Sequence, residues 1–155
     1  MNKKQIFFFI SNNDIYALEA MHVVEIIEHQ PITHVPLMQN YVKGVTNVRG
    51  NIIAVIDLLK RFGMEPEEVD KKTFFVIVKK KYLDKEIQIA MIIDKVFEVD
   101  EIAQSDIDDP PDFGTKVPKA YIKQMVKYND EYIPVLDIDV ILDMDDIAKM
   151  SSKKG

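Results

Sequence analysis

Tyr41-Val42-Lys43-Gly44-Val45-Thr46-Asn47-Val48-Arg49-Gly50-Asn51-Ile52-Ile53-Ala54-Val55-Ile56-Asp57-Leu58 lies, without a gap, over Tyr121-Ile122-Lys123-Gln124-Met125-Val126-Lys127-Tyr128-Asn129-Asp130-Glu131-Tyr132-Ile133-Pro134-Val135-Leu136-Asp137-Ile138, at an offset of 80 residues. Tyr, Lys, Ile, Val and Asp recur in place, and most other apolar positions keep an apolar partner. Each run is a strand, a two-residue turn (Arg49-Gly50 or Asn129-Asp130) and a second strand, with turn residues that tolerate positive φ. Upstream, His22-Val23-Val24-Glu25-Ile26 lies over Lys95-Val96-Phe97-Glu98-Val99 at an offset of 73. The two offsets differ by an insertion in the second copy around Ser105 to Thr115. It holds Asp108-Asp109-Pro110-Pro111-Asp112, which reads as a loop. A duplicated unit of strand, turn, strand, connector and hairpin therefore organises the chain.

The rest of the chain has the same character. Ile6 to Ile10, Ile52 to Leu58, Phe74 to Val78, Ile87 to Ile93 and Ile133 to Ile138 are short apolar runs rich in β-branched and aromatic residues. Ser11-Asn12-Asn13-Asp14 and Tyr82-Leu83-Asp84-Lys85 supply hairpin turns. Only Ala20 to Ile26, as a short helix or a strand, and Val140 to Met150, with Asp139 as N-cap, suggest helix. Two five-strand units of roughly 70 residues each would have thin cores, so the lobes should pack together and leave a groove between them. The expected fold is all-β: two small five-stranded barrel lobes with a connector helix and a C-terminal helix. The expected bounds are 4–70 and 71–146, with a tail at 147–155. Whether the first strand stays in its own lobe or crosses to the other is left open.

Composition narrows the function. The 155 residues are 47% apolar, enough for a core, and 26 acidic against 20 basic residues leave a net charge of -6. That balance argues against general phosphate-backbone binding. There is no cysteine, so disulfides and thiolate chemistry are excluded. Apolar runs fall far short of the ~18 residues of a membrane span, and the start lacks a signal-peptide core. The expected location is the cytoplasm, with any membrane contact made through a partner.

Chemistry-bearing patterns are sparse. His22, His29 and His34 lack metal-site spacing, and no serine sits in an elbow motif. No Gly-rich phosphate loop can be built from five glycines. The acidic clusters at Asp106 to Asp112 and Asp143 to Asp146 read as solvated surface, and Lys79-Lys80-Lys81 as a strand end balanced by Asp84 and Glu86. Asp57 and Asp137 close equivalent strands, where a cap or turn role outweighs a carboxylate pair. Only Arg49 and Arg61 among the 20 basic residues are arginine. A guanidinium fork at a hairpin tip suits either a partner or an intramolecular carboxylate. No catalytic residue, cofactor or metal is expected.

The Gly44-Val45-Thr46-Asn47-Val48-Arg49-Gly50 hairpin, its apolar strand ending in Asp57-Leu58 and the following Phe62-Gly63 resemble the signature of the CheW domain. Ile89 to Val96, the Pro110-Pro111 loop and Val135 to Ile138 resemble its second half, so the likeness runs from about Lys4 to Asp146. Val48 stands where Leu is usual and Ala54 where Pro is usual. The resemblance implies SH3-like barrels and a non-catalytic scaffold joining transmembrane chemoreceptors to a CheA-type histidine kinase. With nothing beyond the domain, a free-standing coupling protein is expected. It implies receptor-tip contact at Phe7, Ala20, Val23, Ile26, Val96 and Val99, with Glu25 and Arg49 as a polar pair beside them. Gly44 is the candidate contact for the kinase regulatory domain. Alternatives are a similar adaptor in another two-component pathway, an OB-like nucleic-acid module and an enzyme with an inter-lobe cleft.

Overall fold

The structure, a computed structural model, describes residues 2–65, 73–112 and 114–147. In chain order these form β1 (Lys3–Ser11), β2 (Asp14–Glu19), a 3₁₀ turn (Ala20–His22), β3 (Val23–Glu28), β4 (Val42–Val48), β5 (Asn51–Asp57) and α1 (Leu58–Arg61). There follow β6 (Phe74–Tyr82), β7 (Lys85–Ile93), β8 (Lys95–Ala103), β9 (Ile107–Asp108), β10 (Ile122–Tyr128), β11 (Glu131–Leu136), α2 (Ile138–Ile141) and α3 (Met144–Ile147). The all-β expectation holds. All four hairpins turn on two residues of positive φ: Asn12-Asn13, Arg49-Gly50, Leu83-Asp84 and Asn129-Asp130. This is the turn whose twist matches that of paired strands.

The repeat is a structural fact down to single bonds. Asp57 N–H donates to the Tyr41 carbonyl at 2.8 Å, and Asp137 N–H to the Tyr121 carbonyl at 2.8 Å. Val42 pairs with Ile56 and Gly44 with Val55; eighty residues on, Ile122 pairs with Leu136 and Gln124 with Val135, with the same bulge between. The repeated aspartates are caps. Asp57 accepts from Lys60 N–H, and Asp137 from the amides of Asp139 and Val140. Asp137, not Asp139, therefore starts the C-terminal helix, and Ile138 begins that helix instead of ending a strand. The expected single helix is two short ones. Asp143 accepts the Asp145 and Asp146 amides and restarts the chain as α3. Ile147, the first residue of the expected 147–155 tail, is instead buried at the end of α3, and residues 148–155 lie outside the described residues.

The lobe boundary differs from the expected one. One sheet has the order β8-β1-β2-β11-β10-β9, the other β3-β6-β7-β5-β4. Each sheet thus takes its leading hairpin from one half of the chain and its remaining strands from the other. The division at residue 70 does not exist in space, and the crossing involves both leading hairpins, β1–β2 and β6–β7. Chain length explains it. Only Asp94 separates β7 from β8, a span of at most ~7 Å. Returning past β6 to its far edge would cross two strand spacings, about 9.6 Å. So β8 passes to the other sheet and pairs with β1, while β3 takes the place beside β6.

This exchange gives three cores. Ile6, Phe8, Ala17 and Val126 fill the first sheet's own interior. Val55, Phe75, Ile77 and Ala90 fill the second's. The largest cluster lies between the sheets and includes Phe7, Phe9, Leu18, Ile56, Val76, Val78, Met91 and Leu136. Central strands are buried on both faces, so they read as unbroken apolar runs without alternation. Arg61 closes this central layer. Its guanidinium lies 4.6 Å from the Tyr41 ring centre and 5.1 Å from that of Tyr121, and donates to the carbonyls of Ile141 and Val140. The C-terminal acids are structural as well: Tyr41 donates to Asp146, and Tyr82 to Asp145. Lys80 bonds Asp139 instead of Asp84 or Glu86.

Two outcomes are expected. Leu83 holds φ 52° at an exposed turn, and Asn tolerates that conformation better, so Leu83→Asn should stabilise by about 0.5–1 kcal/mol in urea unfolding. Glu19 is buried and bonds Lys4 and Lys123, each at 2.8 Å. Burial pushes its carboxyl up, but the two lysines outweigh this and lower it from 4.5 to about 2. Its stabilisation is full above pH 4.5 and is lost as pH falls toward 2. Glu19→Gln should therefore be less stable than the native chain at neutral pH, and the gap should close on acidification.

Candidate functional site

The two sheets each end in an exposed strand, β3 and β8. In β3, Val23 pairs with Val78 and Ile26 with Val76; in β8, Val96 pairs with Phe9 and Val99 with Phe7. Directly paired residues project from the same face of a sheet. Val76, Val78, Phe7 and Phe9 all face the central core, so Val23, Ile26, Val96 and Val99 extend that apolar face outward onto the two edges. Ile26 is 37% exposed, Val96 38% and Val99 54%.

A bulge makes this possible. The ladder shifts between Val23 and Glu25, with Val24 as the extra residue, and shifts again between Val96 and Glu98, with Phe97 extra. In a regular strand, Val23 and Ile26 would face opposite sides. The extra residue brings both to the same side. The same device recurs at the offset of 73 seen in the sequence.

The bulge also turns Glu25 toward its own lobe, opposite Ile77. There it meets Arg49 at the β4–β5 hairpin tip in a two-pronged ion pair. The Arg49 hydrogen bonds hold the Glu25 carboxyl below its ordinary range, and Glu25 raises the guanidinium in turn. In the second copy Glu98, opposite Phe8, acts on Tyr128, whose ring stacks on Phe8 at 4.2 Å between centres. Burial, then Glu98, pushes the Tyr128 hydroxyl well up. Only the first copy presents a cation.

The other expected residues divide. Ala20 sits in the 3₁₀ turn, half-buried against the central core, as does Val23 at the start of β3. Phe7 is 1% exposed. It supports the strip from beneath and offers no surface, which corrects its place among the contacts. Gly44 is also buried, at φ 147°, and a Cβ there would lie 2.1 Å from the Thr33 carbonyl oxygen. Its identity follows from that close approach, which lets Thr33 and Val45 exchange two backbone bonds. Gly44 has no side chain or surface to offer a kinase. Sequence reasoning missed exposed Met21, Val24 and Phe97. The overlay of Val24 on Phe97 held the signal for the latter pair, since a bulged edge residue projects into solvent.

Among the described residues, no group of three His, Cys, Asp or Glu could hold a metal ion. No helix among them is long and apolar enough to cross a membrane. Gly44→Ala should destabilise the chain by about 2–4 kcal/mol, from backbone strain plus overpacking, measured as a lowered urea midpoint. Gln124→Ala, at the matching position, should change it by less than about 1 kcal/mol.

Comparison with known proteins agrees with this architecture. The family model "CheW-like domain" matches residues 5–146. Chemotaxis protein CheW of Helicobacter pylori is 34% identical over 143 residues, covering 91% of this chain and 82% of that protein. Chemotaxis protein CheW of Treponema pallidum is 28% identical, covering 96% and 87%. The crystal structure of the scaffolding protein TtCheW from Thermoanaerobacter tengcongensis superposes with a TM-score of 0.79 at 30% identity, over 92% of this chain and 89% of that one. With a duplicated β unit, exchanged hairpins and a family match across nearly its whole length, the chain belongs to the CheW-like domain family of chemotaxis scaffold proteins.

Proposed function

We propose that this protein couples transmembrane chemoreceptors to a CheA-type histidine kinase, working by placement and without catalysis. The observation that carries this is the apolar strip on the β3 and β8 edges, with the Glu25–Arg49 pair on the other face of β3, in a chain of the CheW-like family. Apolar side chains left half-exposed on two adjoining lobes suit a helix that lays one apolar stripe along them. The cytoplasmic tip of a methyl-accepting receptor is such a helix hairpin. Ala20, Val23, Ile26, Val96 and Val99 form the strip, and Arg49, held in place by Glu25, supplies the polar contact at its rim.

Kinase docking uses a different surface of the same small body, an end of a lobe that meets the kinase regulatory domain. Two separate interfaces on one rigid unit make a bridge. Signal then passes as coupled binding free energies between the sites. The protein works in the cytoplasm, is held at the inner face of the membrane by its receptors, and contacts neither lipid nor nucleic acid.

Calorimetric titration with a receptor signalling-tip fragment, and separately with the regulatory domain of a CheA-type kinase from the same cell, tests this. The native chain should bind both at once. Val99→Asp, and separately Arg49→Glu, should weaken receptor binding by about tenfold or more and leave kinase binding unchanged. Both substituted side chains are themselves mostly exposed, so the thermal transition should persist. Native binding to neither partner would end the coupling proposal. Unchanged receptor affinity in both variants would move the receptor site off this strip.

A further inference from the structure

Away from the strip, on the sheet that contains β2, β10 and β11, lies a cavity of about 510 Å³ bordered by Asp108, Asp109, Pro111 and residues 114–117. Its existence depends on features that the other lobe lacks. There, Ala54, Val55, Ile56 and Asp57 of β5 pair with Ile89 to Ile92 of β7. Here the matching strands β11 and β2 pair only at Val135 and Ala17. Pro134 stands where Ala54 stands and has no N–H for the ladder. The connector differs as well. In the other lobe it lies tight against Gly44; here it is seven residues longer by the two offsets, and Gln124 replaces that glycine.

The lining combines an apolar wall with a charged rim. Val117, Met125, Ile133 and Pro134 contribute the wall. Asp14, Asp108, Asp109 and Glu131 contribute four carboxylates against one cation, Lys116. Lys116 bonds Asp14 at 3.0 Å. No ion pair to Asp108, Asp109 or Glu131 exists among the described residues. Tyr132, 59% exposed, stands beside Glu131 and offers an aromatic face. Tyr16 is part of the same lining, and its buried hydroxyl has no hydrogen-bond partner among the described residues, an uncommon state for a buried polar group.

We propose that this cavity binds a small organic cation with an apolar body, an arylalkyl ammonium being the simplest case. The volume suits a small ligand. A recess edged by carboxylates of one sign concentrates counter-charge. The apolar wall would take the body, while Asp108, Asp109 and Glu131 would meet the ammonium. The site is separate from the receptor strip and does not depend on the coupling proposal.

The test uses the full chain, tryptamine as the cationic probe and tryptophol as its neutral analogue, followed by calorimetry and amide NMR at low ionic strength. Tryptamine should bind saturably, shift the amides of Ile15, Tyr132 and Ile133, and bind about tenfold more tightly than tryptophol, the difference of one charge-assisted hydrogen bond. Glu131→Gln combined with Asp108→Asn should reduce tryptamine to the tryptophol level. Equal binding of the two probes to the native chain would overturn the proposal, as would no saturable binding of tryptamine or shifts confined to other residues. The native-chain comparison decides the matter even if the double variant does not fold.

Discussion

The layer of side chains between the two sheets is the interaction on which the rest depends. Neither lobe has much interior of its own: a handful of residues around Phe8 in one, and around Phe75 in the other. The shared layer around Phe7, Phe9, Ile56, Val76 and Met91 is larger than both. Each fully buried side chain of this kind contributes about 1.5–3 kcal/mol relative to exposure. Either lobe alone would lose that contribution along one whole face. Exchange of the leading hairpins reinforces the dependence, because neither half of the chain can complete a sheet by itself. The lobes therefore form one folding unit, and what they present to a partner is held rigidly.

The candidate receptor strip is the outer margin of this same layer. At the centre the layer is closed on both sides; at β3 and β8 there is no further strand to cover it. Val96 and Val99 are exposed because they lie one strand beyond Phe9 and Phe7. Surface and core are thus continuous, so a partner seated on the strip would extend an existing core. The bulges at Val24 and Phe97 set which side chains face that way and turn Glu25 and Glu98 to the opposite face. Edge strands with unpaired backbone invite unwanted pairing. These two carry bulges and, in β8, the charges Glu98, Asp100 and Glu101, both of which oppose it.

Duplication supplied the frame, and departures from it supply the distinct surfaces. Arg49 against Asn129 gives one hairpin tip a cation. Gly44 against Gln124 lets one connector lie tight against its strand. Ala54 against Pro134 keeps four ladder pairs on one side and one on the other. Arg61 takes the symmetric pair Tyr41 and Tyr121 and binds both with one guanidinium, joining the halves near their axis. The two arginines of a lysine-rich chain accordingly have opposite duties: Arg49 is displayed, and Arg61 is enclosed.

By itself the sequence determined most of the strands, the four hairpin turns, the duplication and its register, and the family. Each of these is written in local patterns: apolar runs, turn residues at positive φ, motifs in order. The tertiary structure decided which strands pair, and hence that the halves trade hairpins, because pairing depends on connector length and long-range packing. It also decided which way residues face. A strand buried on both faces carries no alternation, so Phe7 could not be told from a surface residue, and nothing in Val23-Val24-Glu25-Ile26 announces the bulge that puts Val23 and Ile26 side by side. Gly44 shows the same limit: its motif marked it as important, and only the Thr33 carbonyl lying where a Cβ would stand gave the reason.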